Sequence, residues 1–241
     1  MAEYDFQPLI KYLSSRGVEL TDEMQHKFTL YYEMLTEKNK VMNLTAIIEW
    51  EDVIRKHFID SLSLLEILDA SEIEGRLLDL GTGAGFPGIP LKIVFPELQV
   101  VLADSLNKRI LFLQDVIRAL ELSDVEALHG RAEDLGRREG YRESFDLVVS
   151  RAVSNLSVLS EYCLPFVKIG GSFIPYKTEA LPEEMRMAFD GITLLGGRIS
   201  EERYFSLPDT DMKRGLLLVK KDHATPKKYP RKAGLPAKDP L

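Results

Sequence analysis

Cysteine is almost absent from this 241-residue chain: Cys163 stands alone, which excludes an internal disulfide and any cluster of metal-binding thiolates. Histidine is scarce as well. His26, His57, His129 and His223 show no ligand spacing, so no metal is expected. No apolar run approaches the roughly 18 residues that a membrane-spanning helix needs. The opening Met-Ala-Glu-Tyr-Asp is acidic where an export signal would be basic. Repeats and low-complexity linkers are missing too. These absences lead us to expect a cytoplasmic protein that leaves membranes alone; a monomer is expected as well. What is present is ordinary for a globular chain, 45% hydrophobic and 29% charged, and the length suffices to bury one full core.

Charge is unevenly placed. Residues 213–241 hold nine Lys and Arg against Asp222 and Asp239, a balance of +7, so with a net charge of −7 the preceding chain carries −14. An acidic body with a basic end points to an anionic partner gripped at one place. Pro226, Pro230, Pro236 and Pro240 punctuate that end. The expectation is an extended tail over 223–241, with Tyr229 offering a nucleobase a ring to stack on and Lys227, Lys228, Arg231 and Lys232 binding RNA phosphates.

The hydrophobic pattern divides what precedes the tail into two parts. Residues 1–72 read as a helical extension: Phe6, Leu9, Ile10 and Leu13 share a face, Thr21 caps a segment running through Lys40, and Ile54, Phe58, Leu62 and Leu65 line another. Over 73–222, short apolar runs at 77–80, 98–103, 124–128 and 145–149 alternate with helical stretches, the clearest at 106–121. Such alternation signals βαβ units, hence an α/β fold on a parallel sheet. Arg198–Phe205 and Gly215–Lys220 are close enough in sequence to form a hairpin at the sheet edge.

The most specific stretch is Leu77-Leu-Asp-Leu-Gly-Thr-Gly-Ala-Gly-Phe-Pro-Gly-Ile-Pro90, a buried strand that breaks into a loop with three alternating glycines. Gly81, Gly83 and Gly85 can take positive φ and let main-chain N–H groups approach a ligand that a side chain would fend off. Pro87 suits the start of the helix that follows. Gly83-Ala-Gly85-Phe-Pro-Gly88 also fits the dinucleotide pattern, with Asp104 about twenty residues on. Two features favour S-adenosylmethionine instead. Asp79, two residues before the first glycine, can meet a cationic amino group, and no second domain follows to hold a hydride acceptor.

Ligands of parallel sheets lie beyond the carboxyl ends of the strands. At the second strand's end, Asp104 can accept from ribose hydroxyls while Ser105 can cap the next helix. The third leads into His129-Gly-Arg-Ala-Glu-Asp, where Ala132 and Glu133 suit the edge and exocyclic amine of an adenine. The fourth ends at Ser150-Arg151-Ala152, where the reacting centre should lie. No Asn/Asp-Pro-Pro-aromatic run stands there for an exocyclic amine. Cys163, mid-helix in Glu-Tyr-Cys-Leu-Pro, reads as a core residue and not as the nucleophile that pyrimidine-carbon methylation requires. A ring nitrogen with a free lone pair, such as guanine N7, needs neither device. No catalytic residue is assigned, and the roles of Asn39, Asn43, His57 and Asp60 stay open.

Asp79-Leu-Gly-Thr-Gly-Ala-Gly-Phe-Pro-Gly-Ile-Pro-Leu, Asp104-Ser-Leu-Asn-Lys-Arg, His129-Gly-Arg-Ala-Glu-Asp, Phe145-Asp-Leu-Val-Val-Ser-Arg-Ala-Val and Lys227-Lys-Tyr-Pro-Arg-Lys-Ala-Gly-Leu-Pro occur here in that order. With Asn39-Lys-Val-Met-Asn-Leu-Thr and His57-Phe-Ile-Asp-Ser-Leu upstream, the chain resembles the bacterial 16S rRNA guanine-N7 methyltransferase family, once called glucose-inhibited division protein B. The resemblance spans nearly the whole chain. It implies a Rossmann-like, S-adenosylmethionine-dependent methyltransferase fold with a mostly parallel seven-stranded sheet, and a small-subunit rRNA, in a subunit or its precursor, as partner. By match, cofactor contacts fall on Gly81, Gly83, Phe86, Asp104, Ser105, Leu106, Ala132, Glu133 and Arg151. The rival readings are an NAD-dependent oxidoreductase and a noncatalytic RNA-binding regulator.

Overall fold

Thr21 opens the longest helix as the sequence predicts: its hydroxyl accepts from the Met24 N–H at 3.3 Å, and Asp22 and Glu23 fill the first turn, where the helix dipole favours negative charge. In the computed structural model, which describes residues 4–151 and 153–241, this helix is α2 (Asp22–Met42), preceded by α1 (Gln7–Ser14). Met1–Glu3 of the acidic opening and Ala152 at the fourth strand's end lie outside the described residues. α2 buries Phe28, Tyr31 and Leu35, spaced three and four apart as one helix face requires. Next come α3 (Trp50–Val53), a π-helical stretch at Ile54–Ile59 and α4 (Asp60–Leu62). No described helix is long and apolar enough to cross a membrane.

The alternating region forms β1 (Arg76–Leu80), α5 (Gly88–Val94), β2 (Gln99–Asp104), α6 (Asn107–Ala119), β3 (Val125–His129), α7 (Ala132–Leu135), β4 (Phe145–Arg151), α8 (Leu156–Cys163), β5 (Val167–Lys177) and α9 (Leu181–Leu194). β6 (Gly197–Ser206) and β7 (Lys213–Lys221) form the expected antiparallel hairpin. The sheet has seven strands in the order β3-β2-β1-β4-β5-β7-β6, parallel up to β5. Strand order reverses between β1 and β4, which sets a crevice outside their carboxyl ends.

Alternate residues of each strand feed opposite faces. Leu77, Val100, Leu102 and Val149 pack with α2, α5 and α6, so the N-terminal helices and the sheet share one core. Leu78, Val101, Val148 and Phe173 pack with α8 and α9 on the other side. Cys163 ends α8, fully buried, in place of the mid-helix position expected.

The tail differs most from expectation. It does not run extended, because Tyr229 and Pro230 are buried against the body and Leu235–Lys238 form a short helix, α10. Tyr229 joins the core beneath α8 and α9 and offers no ring to a nucleobase.

Candidate active site

The glycine loop is braced from below by Asp79. This buried carboxylate accepts from Thr82 Oγ1 at 2.7 Å and from the Gly88 N–H at 2.8 Å through Oδ2, tying both ends of the loop to β1. Its other oxygen, Oδ1, is buried with no hydrogen-bond partner among the described residues. Burial raises the Asp79 carboxyl to about 6, against the opposing pull of the bonds from Thr82 and Gly88. An ionised Asp79 lacks a donor at Oδ1 alone among the described residues.

Gly81, Gly83 and Gly85 all have positive φ, but they serve different ends. A Cβ on Gly81 would stand 2.4 Å from the Val153 side chain, whereas one on Gly83 would meet nothing within 4 Å. A Cβ on Gly85 would strike Tyr31 Oη and Ile89. Gly85 thus makes room for α2, whose Tyr31 hydroxyl donates to the Ala84 carbonyl at 2.7 Å, and not for a ligand.

Above this loop a cavity of about 300 Å³, at the lower end of the size range of small-molecule sites, opens at the ends of β1, β2 and β3. Five predicted residues, Gly81, Asp104, Ser105, Ala132 and Glu133, line it. Asp104 organises its floor: Oδ2 accepts from the Gly83 N–H at 3.0 Å and Arg109 Nη1 at 3.1 Å, and Oδ1 from the Leu106 N–H at 2.8 Å. A carboxylate offers about four acceptor positions, so Asp104, with three donors, keeps one free. Gly83 and Leu106 act by presenting their main-chain N–H groups to Asp104, and the exposed Leu106 side chain does not line the cavity. Sequence reasoning missed Arg109, Val153 and Tyr162, which also line it. The signal for Arg109 was its place one turn into α6, five residues from Asp104.

Phe86 and Arg151 lie elsewhere. Phe86 is buried, with the His57 ring stacked on it at 4.4 Å and 14° and the Arg151 guanidinium 5.0 Å from its centroid. Arg151 donates to Asp60 Oδ2 at 2.9 Å and to His57 Nδ1 at 3.4 Å. The nearby Arg214 donates to Asp60 Oδ1 at 2.8 Å. His57 Nε2 pairs with Thr45 Oγ1 at 2.9 Å, and Asn39 Oδ1 accepts from the Thr45 N–H. Asn43, by contrast, serves as the left-handed C-cap of α2. Burial first, and the Arg151 charge second, push the His57 imidazole down to about 3, so it is neutral. Arg151 thus faces Nδ1 and the Thr45 hydroxyl faces Nε2. Asp60, His57 and Arg151 thus form an interior network, where the sequence predicts that Arg151 faces a ligand.

One further expectation is corrected. Arg231 does not face outward for RNA: its guanidinium is held by the fully buried Glu161, while Lys227, Lys228 and Lys232 are exposed. Glu133 lines the cavity, yet its Oε1 is already engaged by Arg131 and by the Gly234 N–H of the tail.

A family model described as "GidB: rRNA small subunit methyltransferase G" matches residues 24–206. The chain is 53% identical over 237 residues to the ribosomal RNA small subunit methyltransferase G of Lachnoclostridium phytofermentans, covering 98% of each chain. It is 51% identical to that of Acetivibrio thermocellus, covering 97% of this chain and 95% of the relative. Among solved structures, the fibrillarin pre-rRNA processing protein of Methanococcus jannaschii superposes with a TM-score of 0.52 at 15% identity, covering 70% and 77% of the two chains. A SAM-dependent methyltransferase of Aquifex aeolicus gives 0.50 at 17%, covering 70% and 92%. At such identities the likeness is one of fold, the Rossmann-like methyltransferase sheet that the strand order already describes. With half its residues shared with curated relatives along almost its entire length, the chain belongs to the rRNA small subunit methyltransferase G family.

Proposed function

We propose that this protein transfers the methyl group of S-adenosylmethionine to N7 of one guanine in the 16S rRNA of the small ribosomal subunit or its precursor, acting as a cytoplasmic monomer. The observation that carries the reading is the pair of buried carboxylates flanking the glycine loop: Asp79 with an unpartnered oxygen, and Asp104 with one acceptor position free. Those acceptors fit the cofactor. Asp79 offers its oxygen to the α-ammonium, Asp104 meets the ribose, Gly81 and Gly83 bring bare main chain to the methionine part, and Ala132 and Glu133 border the adenine. Ser105 completes the wall beside the ribose.

When bound, S-adenosylmethionine supplies an electrophilic methyl carbon on a sulfonium. That carbon would pass to the guanine N7 lone pair, the C–S bonding electrons staying on sulfur and the positive charge going to the purine. No proton leaves N7, so no residue is needed as a base, and the protein's task is alignment. The neutral His57 and the Asp60-paired Arg151 suit that task, because a free cation at the β4 end would oppose charge developing on the base. Lys227, Lys228 and Lys232 lie on the outer face of the tail, placed to meet phosphates.

Incubation of the protein with labelled S-adenosylmethionine and small subunits lacking their methyl groups, followed by nuclease mapping, tests the reading. One labelled nucleoside, 7-methylguanosine from 16S rRNA, is expected. Label on an exocyclic amine or a pyrimidine carbon would overturn the assignment of N7, and RNA binding without transfer would make the protein a noncatalytic regulator.

A further inference from the structure

The tail returns to the wall of the cavity. Arg142 donates to the carbonyls of Thr225 and Tyr229, and Arg137 to those of Lys228 and Pro230, pinning residues 225–230 against the body. Glu161, with no exposed surface, then accepts from the Arg231 N–H at 2.7 Å, from Nε at 3.0 Å and from Nη2 at 2.7 Å. Such a forked, charge-assisted pair is among the strongest contacts that side chains make. Three residues later the Gly234 N–H donates to Glu133 Oε1 at 2.9 Å.

Glu133 is 3% exposed and borders the cavity, as does Tyr162, the neighbour of Glu161. A carboxylate buried to that degree keeps one orientation only where donors hold it. The body supplies Arg131, whose side chain is 53% exposed, at 3.1 Å, and the tail supplies a half-buried main-chain donor. These bonds outweigh burial and hold the Glu133 carboxyl below its usual value. Gly234 has φ +82, which lets its N–H turn inward, and a Cβ there would meet nothing within 4 Å.

We propose that the C-terminal tail is a positioning element of the cofactor cavity: Gly234, anchored through Arg231 and Glu161, fixes the Glu133 carboxylate so that its remaining acceptor positions face the adenine amine. The inference rests on the function proposed above. Arg231 and Gly234 are positioning residues and do not touch the ligand themselves. The basic end therefore has two faces, with lysines turned outward and a main-chain donor turned into the cavity wall.

Titration calorimetry with S-adenosylhomocysteine, on full-length protein, tests it. Gly234→Pro removes the N–H and cannot adopt positive φ, so affinity should fall about tenfold, the usual worth of a hydrogen bond to a charged group. Gly234→Asn keeps the donor and tolerates the left-handed backbone, and should bind as the parent does. Arg231→Gln, which loosens the anchor without touching Gly234, should also weaken binding. In a Glu133→Gln background, Gly234→Pro should add less than about twofold, since both changes act through one carboxylate. Equal affinity of the parent and both anchor variants, or a full tenfold loss in the Glu133→Gln background, overturns the inference. Failure of the parent itself to take up S-adenosylhomocysteine overturns the proposed function instead.

Discussion

The ends of β2 and of β4 lie on the same rim of one sheet and are built in opposite ways. At β2, Asp104 gathers two main-chain N–H groups and one arginine, and space is left above it. At β4, Asp60 reaches in from the N-terminal helices to bind Arg151 and Arg214, with His57 and Phe86 stacked alongside. Each end uses a buried carboxylate as its hub. Where two of the three partners are main-chain N–H groups, a cavity remains. Where they are long side chains from distant segments, the result is a locked wall that holds the helical layer on the sheet.

The sharpest way to break that contrast is Asp60→Ala. It leaves two guanidinium groups, 14% and 15% exposed, without their shared anion. Breaking a buried ion pair from one side is strongly destabilising, and here a loss of about 3 kcal/mol in urea unfolding is expected. A loss below about 1 kcal/mol, the range of surface pairs, would mean that the arginines find other acceptors and that charge does not lock this wall.

His57 gives the next largest effect. Held down to about 3 by burial and then by Arg151, it stays neutral in the folded protein, while the unfolded chain takes up a proton near 6.5. The groups facing it are the Arg151 guanidinium, the Phe86 ring and the Thr45 hydroxyl. A depressed folded value means that its contribution is complete above pH 6.5 and is lost as pH falls toward 3, the unfolded state binding more protons throughout. Between pH 7 and pH 5 the parent should lose ~2 kcal/mol more than His57→Gln does, read from paired urea midpoints. Parallel profiles for the two proteins would show that the imidazole accepts its proton in place.

These two ends also differ in how far the sequence disclosed them. The cavity was legible, because a glycine loop and the carboxylates at successive strand ends are local in sequence, and strand alternation says where they must meet. The parallel sheet and its edge hairpin followed from the same periodicity. The β4 wall was not legible. Asp60 and Arg151 lie 91 residues apart, and Asp60 and Arg214 lie 154 apart, so only the packed chain brings them together. The motif match placed Phe86 and Arg151 beside the cofactor, but spacing alone does not distinguish a side chain facing a ligand from one facing His57 or Asp60. Proline and lysine content made the tail read as extended, while its anchors, Glu161 and Arg142, sit far upstream in unremarkable helix and turn sequence.

Asp79 yields the smallest effect and the most direct test of the open side. Its carboxyl, raised to about 6 by burial, behaves opposite to His57: its stabilising contribution is complete below the ordinary 3.8 and lost as pH rises through 6, because the folded state holds the proton more tightly. A ligand ammonium brought to Oδ1 favours the charged carboxylate and should return the group to its ordinary range. Affinity for S-adenosylhomocysteine should therefore rise about tenfold, or ~1.4 kcal/mol, between pH 5 and pH 7 in calorimetry, with a proton released on binding at the lower pH. Asp79→Asn should flatten this rise. A flat profile for the parent would place the ammonium elsewhere, and the unpartnered oxygen would then be a cost to the fold that no ligand offsets.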